Sequence, residues 1–334
     1  MSRALTWSHG VVSVQSLGGM IGPTLFLLPD GRQIAPFQVA PWASEGDGEE
    51  LPGILKRLRG EWPCVPFGSD DDRLPAGEWP GSSAVGTVDP SPHGFSSNNH
   101  WQFDSARGDG IALAIRYPED HPIASLERSI TPDPNGPALD IELVVHVRHD
   151  CVLPIGLHPC FRLPQRTVAM RIELPAQLGA ATFPVAVDES SIFAQGQFID
   201  AWNNVPLLSG DHLDVSRAPL PRDTEEILQV LDVPGTASLW NTAEGYRVRL
   251  SWDPEHFPSV LLWFSNRGRQ MPPWSGRHLA LGVEPICAAF DLGQQISAAD
   301  NPLTRRGTPT ARAFRAGERF ATRYRVEVAP ADIL

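Results

Sequence analysis

Apolar and polar positions alternate with period two over much of this chain. Leu139, Ile141, Leu143, Val145 and Val147 alternate with Asp140, Glu142, Val144, His146 and Arg148, which predicts a half-buried strand. The stretch before it, Asp133-Pro134-Asn135-Gly136-Pro137, consists of residues that preset turn dihedrals. Tyr246, Val248, Leu250 and Trp252 alternate likewise after Asn241-Thr242-Ala243-Glu244-Gly245, and Tyr324, Val326 and Val328 repeat the pattern. Val11 to Leu28 is apolar with glycine breaks and ends at Pro29-Asp30-Gly31-Arg32, which reads as strand, turn, strand. Ser259 to Phe264 is a continuous apolar run, suited to a strand buried on both faces. Only one stretch, Glu225 to Leu231, predicts a helix, and a short one. Polar or Gly- and Pro-rich segments at 42–52 and 69–82 predict surface loops. The expected architecture is all-β: two large antiparallel sheets packed face to face, in one domain spanning 1–334.

Composition sharpens this picture. Proline contributes 33 of 334 residues, about twice the usual frequency, which disfavours long helices and favours turns and edge strands. A hydrophobic content of 42% suffices for a large core. The formal net charge of −12 disfavours nucleic acid and anionic membranes as partners and is compatible with a neutral small molecule. The opening Met1-Ser2-Arg3-Ala4-Leu5-Thr6-Trp7 lacks the apolar core of a signal peptide, and no apolar stretch is long enough to span a membrane. None of the four cysteines, Cys64, Cys151, Cys160 and Cys287, forms a Cys-x-x-Cys pair. A cytoplasmic protein with reduced thiols is expected.

Candidate chemistry centres on Pro154-Ile155-Gly156-Leu157-His158-Pro159-Cys160-Phe161. Prolines on both sides of His158 restrict its backbone, and a held imidazole is a useful proton donor near neutral pH. The competing reading is a core histidine bonded to a backbone carbonyl. Glu284, in Leu281-Gly282-Val283-Glu284-Pro285, is an acid in an apolar setting. Such a group is costly unless paired or functional, and pairing with Arg277 is the structural alternative. Pro92-His93-Gly94-Phe95-Ser96-Ser97-Asn98-Asn99-His100-Trp101 is dense in hydrogen-bonding groups, as suits a loop that holds a polar ligand. The histidines and Glu284 lack the local spacing of a metal motif, and no phosphate-binding loop, dinucleotide fingerprint or nucleophile elbow is present. No metal and no other cofactor is expected.

Taken in order, these segments resemble the aldose 1-epimerase (galactose mutarotase-like) superfamily. Arg59-Gly60-Glu61-Trp62-Pro63-Cys64-Val65-Pro66 resembles its arginine-bearing wall, and Pro92-His93-Gly94-Phe95 its first histidine motif. Gly156-Leu157-His158-Pro159-Cys160-Phe161 resembles the second, with Cys160 at a position usually held by tyrosine. Phe257-Pro258 through Trp263, Val283-Glu284-Pro285 and Ala316-Gly317-Glu318 resemble the segments around the catalytic glutamate and the last strand. The resemblance implies a large β-sandwich that binds a sugar on one concave sheet. It implies His158 as general acid, Glu284 as general base, and His93 and Arg59 as substrate contacts. For the family's sugar-contacting aspartate, Asp223 in Asp223-Thr224-Glu225-Glu226 is the best candidate. The implied activity is mutarotation of a hexose or related sugar. A catalytically silent sugar-binding protein on the same fold is the alternative, and a glycoside-cleaving enzyme would need a second carboxylate near Glu284.

Overall fold

A computed structural model describes residues 1–45, 50–69, 75, 77–80, 88–104, 109–175 and 179–331. The expected loop at 69–82 lies largely outside them, as does part of the 42–52 loop. Two large antiparallel sheets dominate the described residues. One has nine strands. In spatial order they are Arg217–Ala218, Met170–Glu173, Thr236–Asn241, Tyr246–Trp252, Arg319–Pro330, Ala138–Val147, Ile123–Pro132, Ile111–Arg116 and Gln102–Asp104. The other has eight. Phe198–Ile199, Ala180–Thr182, Thr224–Val230, Ser259–Asn266, Leu279–Cys287, Ile155–Leu157 and Pro63–Cys64 lie side by side, and Cys160–Arg162 also pairs with Leu279–Cys287. A four-stranded sheet is built from Ser2–Trp7, Gly10–Gln15, Ile21–Leu27 and Gln33–Ile34.

The alternation predicted along 139–147 and 246–252 appears as strands Ala138–Val147 and Tyr246–Trp252, whose inward residues meet in the core between the large sheets. Val260, Leu262 and Phe264 join that core, whereas Leu261 and Trp263 point to the opposite face and a second apolar cluster. All eight residues of Ser259–Asn266 are buried, as the continuous apolar run predicts.

The expected helix at Glu225 to Leu231 is instead the strand Thr224–Val230, hydrogen-bonded on both edges and buried at every residue. Glu, Leu and Gln favour helix locally, but a ladder partner on each side outweighs a propensity of a few tenths of a kcal/mol per residue. The ligand loop predicted at 92–101 contains a one-turn helix, Phe95–Asn98.

Candidate active site

Strand register explains why His158 and Glu284, far apart in sequence, meet. Gly156 faces Ile286 and Cys160 faces Gly282 across the antiparallel pair. The same register continued through the break at Pro159 sets His158 opposite Glu284, and the Val283 amide donates to the Pro159 carbonyl at 3.0 Å. On the other edge, Leu157 faces Pro63, and the His158 amide donates to the Trp62 carbonyl at 2.9 Å. Leu261 faces Glu284 from the neighbouring strand. Trp62, His158, Glu284 and Leu261 thus form one row across the sheet, and all four line the floor of a cleft of about 220 Å³. That lies below the roughly 300–1,000 Å³ usual for drug-sized ligands and suits a small molecule.

His158 Nδ1 lies 3.3 Å from Glu284 Oε1 and 3.3 Å from Cys160 Sγ. The imidazole stacks on the Trp62 ring, with centroids 4.1 Å apart and planes at 20°. The Glu284 carboxylate folds back over its own strand: a Cβ at Gly282 would come within 2.2 Å of Oε1, so a larger residue there would shift the carboxylate. The approach to Nδ1 lacks hydrogen-bond geometry, and Oε1 is buried with no hydrogen-bond partner. Burial, helped by the charge of Asp291, holds the Glu284 carboxyl well above its ordinary range. Burial, helped by His93, holds the His158 imidazole well below its own. Both residues are therefore biased towards their uncharged forms.

His93 reaches the same cleft and packs edge-on against His158, centroids 5.0 Å apart. Its backbone is left-handed, at φ 55°, and the Gly68 amide approaches its Nδ1 at 3.4 Å. A Cβ at the neighbouring Gly156 would come within 2.4 Å of the Phe67 ring, which meets His93 edge-on at 4.8 Å.

The other two residues taken from the resemblance are not brought into this cleft. The Arg59 guanidinium donates to the Arg57 carbonyl at 3.0 Å and to the Gly22 carbonyl at 3.5 Å, outside the cleft lining. Asp223 is exposed, one residue ahead of its strand, and does not line the cleft. The polar lining includes Asp291 and Arg269 instead. Arg269 follows the end of the Ser259–Asn266 strand, and its guanidinium lies 4.6 Å from the centroid of the Trp274 ring. Its Nε is 3.3 Å from Glu225 Oε1. Glu225 also accepts from Trp263 Nε1 at 2.6 Å and from Ser265 Oγ at 3.2 Å, and burial pushes its carboxyl up to about 7. Trp263, Trp274 and Arg269 form an aromatic and cationic part of the cleft wall. Sequence offered one signal for this wall, Arg269 and Trp274 flanking a Pro-Pro pair just after a buried strand. It offered none for Asp291.

Chemically, the cleft presents a titratable acid–base pair on its floor, aromatic surfaces for an apolar ring face, and groups able to bond hydroxyls. No protein-family model matches the sequence, and no curated protein sequence matches it. Solved structures do match the fold. A putative aldose 1-epimerase from Escherichia coli K12 shares 18% identity over 99% of both chains, with a TM-score of 0.65. A galactose mutarotase related enzyme from Lactobacillus acidophilus shares 14% over 99% of this chain and 98% of that one, TM-score 0.61. An aldose epimerase homologue from C. elegans shares 13% over 99% and 100%, TM-score 0.62. The chain has the galactose mutarotase-like β-sandwich fold.

Proposed function

We propose that this protein is a mutarotase that interconverts the α and β anomers of a hexose or related sugar by acid–base catalysis. The observation carrying the proposal is the His158–Glu284 pair at 3.3 Å on the floor of an aromatic-walled cleft. Mutarotation requires the C1 hydroxyl to lose a proton while the ring oxygen gains one. The ring then opens, the aldehyde turns, and closure occurs on the other face. Glu284 as carboxylate takes the hydroxyl proton, and His158 as imidazolium supplies one to the ring oxygen. Positioned proton transfer of this kind is worth roughly 10²–10⁴-fold.

Ring opening converts the ion pair into a carboxylic acid and a neutral imidazole with no change in total proton count. That uncharged pair is the form burial favours, so the desolvated floor lowers the cost of ring opening. Closure reverses both transfers and restores the starting state. His93, Asp291 and Arg269 supply hydroxyl contacts, and the tryptophans cover an apolar sugar face. The reading of 1–334 as one domain is supported by cleft residues that run from Ile54 to Asp291.

The test is to add protein to freshly dissolved α-glucose or α-galactose, and then to a wider sugar panel, and follow optical rotation. Equilibration faster than in buffer supports the reading. Saturable sugar binding with no acceleration anywhere in the panel would instead make the protein a silent sugar binder. Release of the aglycone from an aryl glycoside would point to hydrolysis, with Asp291 as the second carboxylate.

A further inference from the structure

Cys160 and Glu284 project from facing strands and His158 from the break just before Cys160, and all three are buried. His158 Nδ1, Cys160 Sγ and a Glu284 carboxylate oxygen lie within 4.8 Å of one another, with two of the separations at 3.3 Å. Donors around a tetrahedral zinc ion, with bonds of about 2.0–2.3 Å, sit roughly 3.3–3.6 Å apart. Glu284 Oε1, buried and without a hydrogen bond, points into this cluster. Two of the three donor residues, His158 and Glu284, also line the open cleft, where a fourth ligand can come from solvent.

We propose that His158, Cys160 and Glu284 form a three-ligand site for a borderline-soft divalent ion of the zinc class, open to the cleft at its fourth position. The thiolate selects against magnesium and calcium, which prefer all-oxygen shells. Charge favours the same class, since a dication, a thiolate, a carboxylate and a neutral imidazole sum to zero. That matters in a floor where burial disfavours each group's isolated charged form. Binding displaces the thiol proton, and the carboxyl proton where it is present, so affinity rises with pH. Two ligands are also the acid–base pair, so metal-bound protein cannot transfer protons through them and is inactive. Metal binding stands on the three donors alone; only the loss of turnover rests on the mutarotase reading.

The probe is cobalt(II), a spectroscopic stand-in for zinc, added to full-length protein that has been reduced and stripped with chelator. The expected result is a thiolate-to-cobalt charge-transfer band in the near ultraviolet that saturates at one equivalent and is bleached by zinc. Cys160→Ser should abolish that band, and Cys64→Ser should retain it. In case Cys160→Ser does not fold, His158→Asn and Glu284→Gln are titrated with zinc against a chromophoric chelator, with at least a tenfold loss of affinity expected. Absence of the band in the wild type, its survival in folded Cys160→Ser, or unchanged zinc affinity in both other variants overturns the site. Polarimetry separates the two ideas. Metal-free turnover stopped by one equivalent of zinc and restored by chelator supports both. The band without any metal-free turnover keeps the site and removes the mutarotase reading. Turnover indifferent to zinc, with no band, does the reverse.

Discussion

Four glutamates are buried among the described residues, Glu61, Glu225, Glu226 and Glu284, and the contrast is sharpest between the partners of Glu61 and Glu284. Glu61 lies in the interior towards the nine-stranded sheet, where it is paired with the Arg128 guanidinium. Arg128 also donates to the Gly19 carbonyl at 2.6 Å and to the Tyr324 hydroxyl at 3.0 Å. Arginine stays protonated at any pH a protein survives, so the partner of Glu61 carries a permanent charge. Glu284, on the opposite side of the eight-stranded sheet, has the titratable His158 beside it, and the cleft in front of it. Trp62, next in sequence to Glu61, lines that cleft, so adjacent residues of one short segment serve the two faces. A permanently charged, multiply bonded partner makes a buried carboxylate structural. A titratable and loosely held partner leaves its proton free to move.

The comparison is tested most severely by matched substitutions. Glu284→Gln should lower kcat by about 10²–10⁴-fold while leaving the unfolding transition near that of the wild type. Glu61→Gln should cost about 3–5 kcal/mol of stability, because it strands the buried Arg128 charge, with turnover per folded molecule largely kept. Denaturant unfolding and polarimetry on both variants check this, and the reverse allocation would break the distinction. Gly282→Ala comes next. Its Cβ would meet Glu284 Oε1 at 2.2 Å and displace the carboxylate by about 1 Å, a misplacement worth up to about 10² in rate. Wild-type kcat in Gly282→Ala would show that the position of Glu284 does not matter.

The pH profile sharpens the same point. The pair works while it holds one proton, so activity falls at low pH when a second proton binds and at high pH when the last is lost. The His158 shift is downward and the Glu284 shift upward. The acid limb should therefore lie below the ordinary imidazole range and the alkaline limb above the ordinary carboxylate range in kcat against pH. A narrow bell with its acid limb at the ordinary carboxylate value would mean an unperturbed pair. The smallest effect expected is for Arg269→Met. It removes the proposed cationic hydroxyl contact but keeps apolar cover over Trp274, so KM should rise several-fold with kcat nearly unchanged, as measured by initial rates over a range of sugar concentrations.

Periodicity in the sequence determined the all-β architecture and most of the long strands, because strand burial is written locally as alternation at 139–147 and 246–252 and as a continuous apolar run at 259–264. The motifs around His93, His158 and Glu284 were likewise visible, since proline and glycine neighbours mark residues whose backbone is held. Tertiary structure alone decided the rest. Whether 225–231 is helix or strand depended on ladder partners supplied by distant segments. Whether Arg59 and Asp223 reach the cleft depended on where their backbones exit the sheet, and both exit elsewhere, while Arg269 and Asp291 arrive from loops with no periodic signal. The meeting of His158, Cys160 and Glu284 was set by the register between two strands, and register is a relation between segments that neither segment encodes by itself.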